Sequence, residues 1–197
     1  IFIETGTYKG GIPHRILETY GSLDNFFEKY YTIELGEDIC RVASQRYQYF
    51  EQGKTSKEYI HSNDSDDAYE TGQTYFDDKL TLINNDSVQA LKDLLPEIDH
   101  RCCFWLDAHA GAARYARGNV DVPLLQELDV IKSHKIKNHI IAIDDAHLFG
   151  ELQLDNAGNV SCDYRDVTYE RIRDKILEIN SEYDVGIYEP YEMKMLI

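Results

Sequence analysis

The residues of this sequence best placed to do chemistry are acids that close apolar runs. Glu4 ends FIE, Glu34 ends YYTIE, Asp86 follows LTLINN, Asp107 follows CCFWL, and Asp144 and Asp145 follow HIIAI. His109 and His147 each stand two residues beyond one of these acids. A carboxylate offers two acceptor oxygens and can hold hydroxyls, amines or a cation. Asp107, Asp144 and Asp145 together would be hard-oxygen ligands suited to Mg²⁺ or Ca²⁺. His109 and His147 have the usual pKa of a general base. Gathered on one rim, such groups are costly unless solvated, paired or bound to a cation.

A glycine turn follows the first acid. In FIETGTYKGG, Gly6, Gly10 and Gly11 let the backbone turn tightly and approach a ligand, and the next helix presents its N-terminus there. Glu4 at that edge favours a cationic ligand over a phosphate. Neither the dinucleotide fingerprint G-x-G-x-x-G nor the P-loop G-x-x-x-x-G-K-[ST] is present.

The elements that must position these residues alternate. Apolar runs at Ile1–Glu4, Tyr30–Leu35, Leu80–Asn84, Cys102–Leu106 and His139–Ile143 read as strands. Between them, Ile12, Ile16, Leu17 and Tyr20, then Ile39, Val42 and Ala43, Val88, Leu91, Leu94 and Leu95, and Leu124, Leu125, Leu128 and Ile131 recur at helical spacing. Ser87 and Asp166 are expected as helix caps. Tyr183–Tyr188 and Met193–Ile197 read as a final strand pair. Repeated βα order predicts a doubly wound α/β sheet in a single domain over residues 1–197. Gly53–Lys79 lacks a clear period and reads as an insertion or mobile loop. Ala110–Val120 follows the fourth strand, where a lid or an ordinary connector fits equally. The chain opens inside a strand without an initiator Met, so residues ahead of Ile1 are expected.

FIETGTYKG resembles motif I of class I S-adenosylmethionine (SAM)-dependent methyltransferases, written (D/E)-x-G-x-G-x-G. Glu4, Gly6 and Gly10 match, while Tyr8 replaces the middle glycine. The resemblance extends along the chain. It implies a Rossmann-like, seven-stranded, mostly parallel sheet with an antiparallel last strand and helices on both faces. It places Glu4, Thr5, Gly6, Thr7, Tyr8 and Gly10 around the cofactor and gives Glu34 the ribose hydroxyls. Asp86, with Ser87 beside it, would take the adenine amino group, and Asp107 in LDAHAG would lie near the transferred methyl. The pattern Asp107…Asp144-Asp145 is similar to metal-dependent small-molecule O-methyltransferases, in which these three would bind a divalent ion such as Mg²⁺. His109 and His147 are then the base candidates alongside Asp107. FWLDAHAG…IIAIDDAHLFG also looks like a methyltransferase subgroup associated with glycan genes, which implies a sugar-containing acceptor. Without a metal, Asp144 and Asp145 would cap the next segment or pair with Arg114 or Arg117.

Composition narrows the alternatives. Thirty-six acids against 20 bases give a net charge of -16, a surface that repels nucleic-acid phosphates. No apolar run reaches the roughly 18 residues of a membrane span. Cys40, Cys102, Cys103 and Cys162 form no CxxC pair, a pattern that favours a reducing cytoplasm, with Cys102 and Cys103 as buried thiols. LDAHAG also approaches the D-A-H-x-D metal motif of ureohydrolases, but Gly111 stands where the second Asp is needed. A domain of the same fold that binds SAM or a glycan without catalysis is the other alternative. Oligomeric state is left open.

Overall fold

The structure, a computed structural model, describes residues 1–20, 22–24, 26–51, 73–76, 79–111, 116–188 and 195–196. The strands are β1 (Phe2–Thr5), β2 (Tyr30–Glu34), β3 (Gln73–Phe76), β4 (Leu80–Asn84), β5 (Cys103–Leu106), β6 (Ile140–Ile143), β7 (Leu152–Leu154), β8 (Val160–Asp163), β9 (Ile187–Tyr188) and β10 (Met195–Leu196). The α-helices are α1 (Gly11–Tyr20), α2 (Glu37–Glu51), α3 (Ser87–Leu94), α4 (Leu124–Ser133) and α5 (Tyr169–Ile179).

Among the described residues, eight strands form one sheet in the order β3-β4-β2-β1-β5-β6-β10-β9. The five central strands are parallel, giving the Rossmann-like α/β arrangement. The count differs from the seven expected: β3 pairs antiparallel with β4 on one edge, and β10 runs antiparallel to both β6 and β9 on the other. Strand β3 falls inside the stretch read as an insertion or loop. Most of the rest of residues 53–79 lies outside the described residues. A separate hairpin, β7–β8, follows β6.

Side-chain alternation divides the core between two faces. Ile3, Ile33, Ile83, Phe104 and Ile143 face Leu91 of α3, Leu128 and Ile131 of α4 and Ile172 of α5. Phe2, Tyr30, Leu80 and Leu82 face Cys40, Ala43 and Tyr47 of α2. Tyr20, expected on the apolar stripe of α1, is exposed beside the Phe26 ring. Thr168, not Asp166, caps α5, its hydroxyl accepting from Arg171 N. Asp86, not Ser87, caps α3 by accepting from Gln89 N. The four cysteines are free thiols; Cys103 is half-buried while the others are buried. Among the described residues, no helix is long and apolar enough to cross a membrane.

The parallel register aligns the strand ends. Thr5 pairs with Ile33 and Leu106, and Leu106 pairs with Ile143. Backbone bonds hold the segments just beyond: Gly6 N to Ile33 O, Asp107 N to Thr5 O, Asp144 N to Leu106 O and Asn85 N to Glu34 O, all 2.9–3.1 Å. The chain runs from β1 outward to β4 and then returns to β5 on the other side of β1. That reversal opens a crevice at the carboxyl edge, where open α/β sheets bind ligands.

Candidate functional site

The glycine turn is built on contacts that exclude side chains. A Cβ on Gly6 would stand 2.3 Å from the Asp107 carbonyl oxygen, and its φ of +81° is in the region glycine favours. Tyr8, which replaces a motif glycine, takes φ +50° itself, and its N–H donates to Glu34 Oε2 at 2.8 Å. The Tyr47 hydroxyl donates to Gly10 O at 2.6 Å.

Glu4 does not face the crevice. Its carboxyl is buried beneath the turn, where Oε1 accepts from Ile12 N at 2.7 Å and Oε2 accepts from the Thr32 hydroxyl at 2.6 Å. The Thr32 hydroxyl also pairs with that of Thr7. Burial dominates and pushes the Glu4 pKa up to about 7. The expectation of a carboxylate offered to a cationic ligand is therefore corrected: Glu4 serves an orphan N–H at the start of α1.

A cavity of about 720 Å³ occupies the crevice. Gly6, Tyr8, Glu34, Asp86, Ser87 and Asp107 all line it, so six of the ten expected cofactor residues meet at one space. Glu4, Thr5, Thr7 and Gly10 are not in its lining. Glu34 accepts from Gly36 N at 2.9 Å as well as from Tyr8 N, leaving lone pairs for a ligand. Burial raises its pKa. Asn84 holds the neighbouring backbone by donating to Glu34 O and Leu35 O. Ala116, Gly118, Asn119 and Val120 form part of the wall. Within the connector, Arg117 donates to Ser161 O at 2.6 Å and pairs with Asp121 at 3.5 Å. Residues 112–115, including Arg114, lie outside the described residues.

On the other side of Asp107 lies the acidic rim. Ligand atoms of Asp107, His109 and Asp145 lie within 4.8 Å of one another. His109 Nε2 is 3.3 Å from Asp145 and 3.7 Å from Asp107. His109 Nδ1 is 2.8 Å from the Ala110 carbonyl, which can only accept, so Nδ1 carries a proton and Nε2 faces the carboxylates. Burial opposes charge on His109, but Asp145, Cys162, the Ala110 carbonyl and Asp107 raise its pKa to about 11. Burial and Asp144 push Asp107 up to about 8, whereas the bond to His109 lowers Asp145. The surrounding carboxylates thus favour the protonated form of His109.

The rim differs from the expected ligand set in one residue. Asp144, expected beside Asp107 and Asp145, is not in the convergent group; its Oδ1 accepts from Asp145 N at 2.8 Å. His109 stands in its place. Asp145 adopts a left-handed φ of +57°, a strained conformation for a side-chain-bearing residue, and makes no side-chain cap. Arg117 pairs with Asp121 rather than with Asp144 or Asp145. His147 is more exposed and lies 3.8 Å from Asp145. Two participants escaped the sequence reading. Tyr164 is buried with its ring centroid 5.9 Å from that of His109; it stands in DYRDVTYERIRDKI, where no role was expected of it. Glu127 is wholly buried in α4, and its signal was legible: a charge between Leu124 and Ile131 on the apolar stripe.

Neither a comparison with protein-family models nor one with curated protein sequences finds a match. Solved structures do match over 99% of the chain. An O-methyltransferase from Bacillus cereus in complex with S-adenosylhomocysteine (SAH) aligns over 71% of its length, at TM-score 0.52 and 13% identity. A putative O-methyltransferase from Klebsiella pneumoniae aligns over 70%, at 0.52 and 14%. An SAH-bound methyltransferase from Podospora anserina aligns over 70%, at 0.51 and 15%. With the Rossmann-like sheet and the crevice at its carboxyl edge, these likenesses give the chain the fold of the class I SAM-dependent methyltransferases.

Proposed function

We propose that the protein transfers the methyl group of SAM to a hydroxyl of a small, sugar-containing acceptor, with a divalent ion on the acidic rim. The observation that carries this is the convergence of Gly6, Glu34, Asp86 and Asp107, from the ends of four parallel strands, on one 720 Å³ cavity. The residues fit the cofactor. Glu34 keeps lone pairs for the ribose hydroxyls, Asp86 lies at the adenine end, and Gly6 admits close backbone approach. When bound, SAM would supply an electrophilic methyl on sulfur: the acceptor oxygen would gain it and give up its proton as the sulfur–methyl bond breaks and SAH is left. The likeness to O-methyltransferases, two of the methyltransferase structures holding SAH, supports the same reading.

The rim also fits a metal. The Ala110 carbonyl fixes the tautomer that leaves the His109 Nε2 lone pair facing Asp107 and Asp145 once its proton is displaced. Two carboxylates with one imidazole suit a transition ion such as Mn²⁺ better than Mg²⁺ or Ca²⁺, which prefer oxygen ligands alone. Asp107, His109 and Asp145 would hold the ion, which lowers the pKa of a bound hydroxyl and orients it. His147, beside the same rim, is the side chain placed to receive the hydroxyl proton.

Calorimetric titration with SAM and SAH, each with and without Mg²⁺ or Mn²⁺, is the test. Micromolar binding of both is expected, followed by metal-dependent methylation of sugar or catechol hydroxyls. Failure to bind either nucleoside removes the reading, and full activity in chelator removes the metal.

A further inference from the structure

Glu127 is completely buried, and neither of its carboxyl oxygens has a hydrogen-bond partner. Thr5 Oγ1, also completely buried, lacks one too. Burial dominates the carboxyl and raises its pKa to about 7; the nearby Ser87 and Thr5 hydroxyls work against that shift, and Asp86 adds to it. Three orphaned polar atoms in one place are unusual, because buried polar groups are nearly always paired. Their position gives them a use. Thr5 precedes Gly6, Ser87 opens α3, and Glu127 follows Gln126; Gly6, Ser87 and Gln126 all line the cavity. Glu127 therefore stands directly behind the wall where β1, α3 and α4 meet.

We infer that Glu127 is a positioning residue that sets the direction of the Ser87 hydroxyl, so that the cavity wall offers a donor to an acceptor nitrogen or oxygen of the bound nucleoside. The inference rests on the cavity holding that nucleoside. A neutral carboxyl has one O–H to give and one carbonyl to accept with. Donating to Ser87 Oγ, it frees the Ser87 proton for the cavity while its carbonyl accepts from Thr5. An ionised carboxylate only accepts, and draws both hydroxyl protons inward. The charged groups facing Glu127 are Asp86 at the cap of α3 and, across a small cleft, Asp107, His109, Asp144 and Asp145, with Tyr164 beside them. Among them, the Asp86 carboxylate favours the neutral acid.

SAH affinity at pH 6.5, measured for wild type, Glu127→Gln, Glu127→Leu, Ser87→Ala and the Leu/Ala double variant, tests this. Gln keeps a donor and an acceptor, so it should bind within about twofold of wild type. Leu and Ala should each weaken binding about tenfold, the effect of one hydrogen bond, and the double variant no further than Ser87→Ala alone. Should Glu127→Leu not fold, the pH dependence decides. Wild-type affinity then falls above pH 7, and that of Glu127→Gln does not. Additive losses, or matching pH profiles, overturn the inference alone. A wild type that binds no SAH at any pH overturns the cavity reading and this inference together.

Discussion

Gly6 and Asp107 touch through their backbones: the place of a Gly6 Cβ lies 2.3 Å from the Asp107 carbonyl oxygen. Neighbouring strands β1 and β5 can bring their ends together only because nothing projects there. Gly6→Ala must move the chain or break the contact. Positive φ alone costs about 1–2 kcal/mol for a residue with a Cβ, and the clash with backbone adds to it. Urea unfolding should show a loss of at least about 2 kcal/mol, with SAH binding abolished. A fully stable variant that still binds would show that the turn is not set by this contact.

The Glu4 carboxyl makes stability depend on pH. Its folded pKa, raised by burial to about 7, exceeds the ordinary glutamate value of 4.5. The folded state therefore holds more protons between these values, so this contribution is complete below about 4.5 and lost as pH rises through about 7. Glu4→Gln should flatten that slope. A glutamine oxygen can accept from Ile12 N while its amide donates to Thr32, whose hydroxyl proton can turn to Thr7. Unfolding free energies at pH 5 and 8 should differ less in the variant than in wild type. An unchanged difference would place the titration elsewhere.

Much of the frame was legible because it is local. Apolar runs of four to five residues ending in an acid mark β1, β2 and the approach to Asp86, Asp107 and Asp144, and the parallel register then brings those ends together. What escaped is set by tertiary contact. Strand β3 exists through its pairing with β4, and its residues carry no strong period of their own. Glu4 stands one residue before the strand end, so alternation turns it toward α1 rather than into the crevice. His109 joins Asp145 because the chain curls back after β5, which spacing along the sequence does not show.

A second pH effect lies at the opposite edge of the sheet. Cys102 N donates to His139 Nδ1 at 3.1 Å, so His139 carries its proton on Nε2 and gives it to His134 Nδ1 at 3.0 Å. His134 Nε2 in turn donates to Ile98 O at 2.9 Å. Burial first, and then His134, lowers the His139 pKa to about 4. The unfolded chain binds this proton below about 6.5, so the contribution to stability is full above that value and fades as pH falls through about 4. Imidazole nitrogen shifts should report His139 as neutral, protonated on Nε2, at pH 5.5. A protonated His139 at that pH would break the chain of bonds and the argument with it.

The acidic rim makes the last prediction, which separates metal from proton. His109 holds a proton between Asp107 and Asp145 at neutral pH, with its pKa raised to about 11. A metal bound by Nε2 must expel that proton, since a ligating imidazole is neutral. Mn²⁺ titrations at pH 7 in two buffers of different ionisation enthalpy should therefore report release of at least about one proton per ion. Asp145→Asn removes both a proposed ligand and the main partner of the imidazolium. It should weaken Mn²⁺ binding by at least about tenfold while leaving SAH affinity within about twofold, because Asp145 does not line the 720 Å³ cavity proposed to take the nucleoside. Binding of Mn²⁺ without proton release would move the ion away from His109. Equal Mn²⁺ affinity in Asp145→Asn would leave His109 and Asp145 as an ion pair that shapes the rim without a metal.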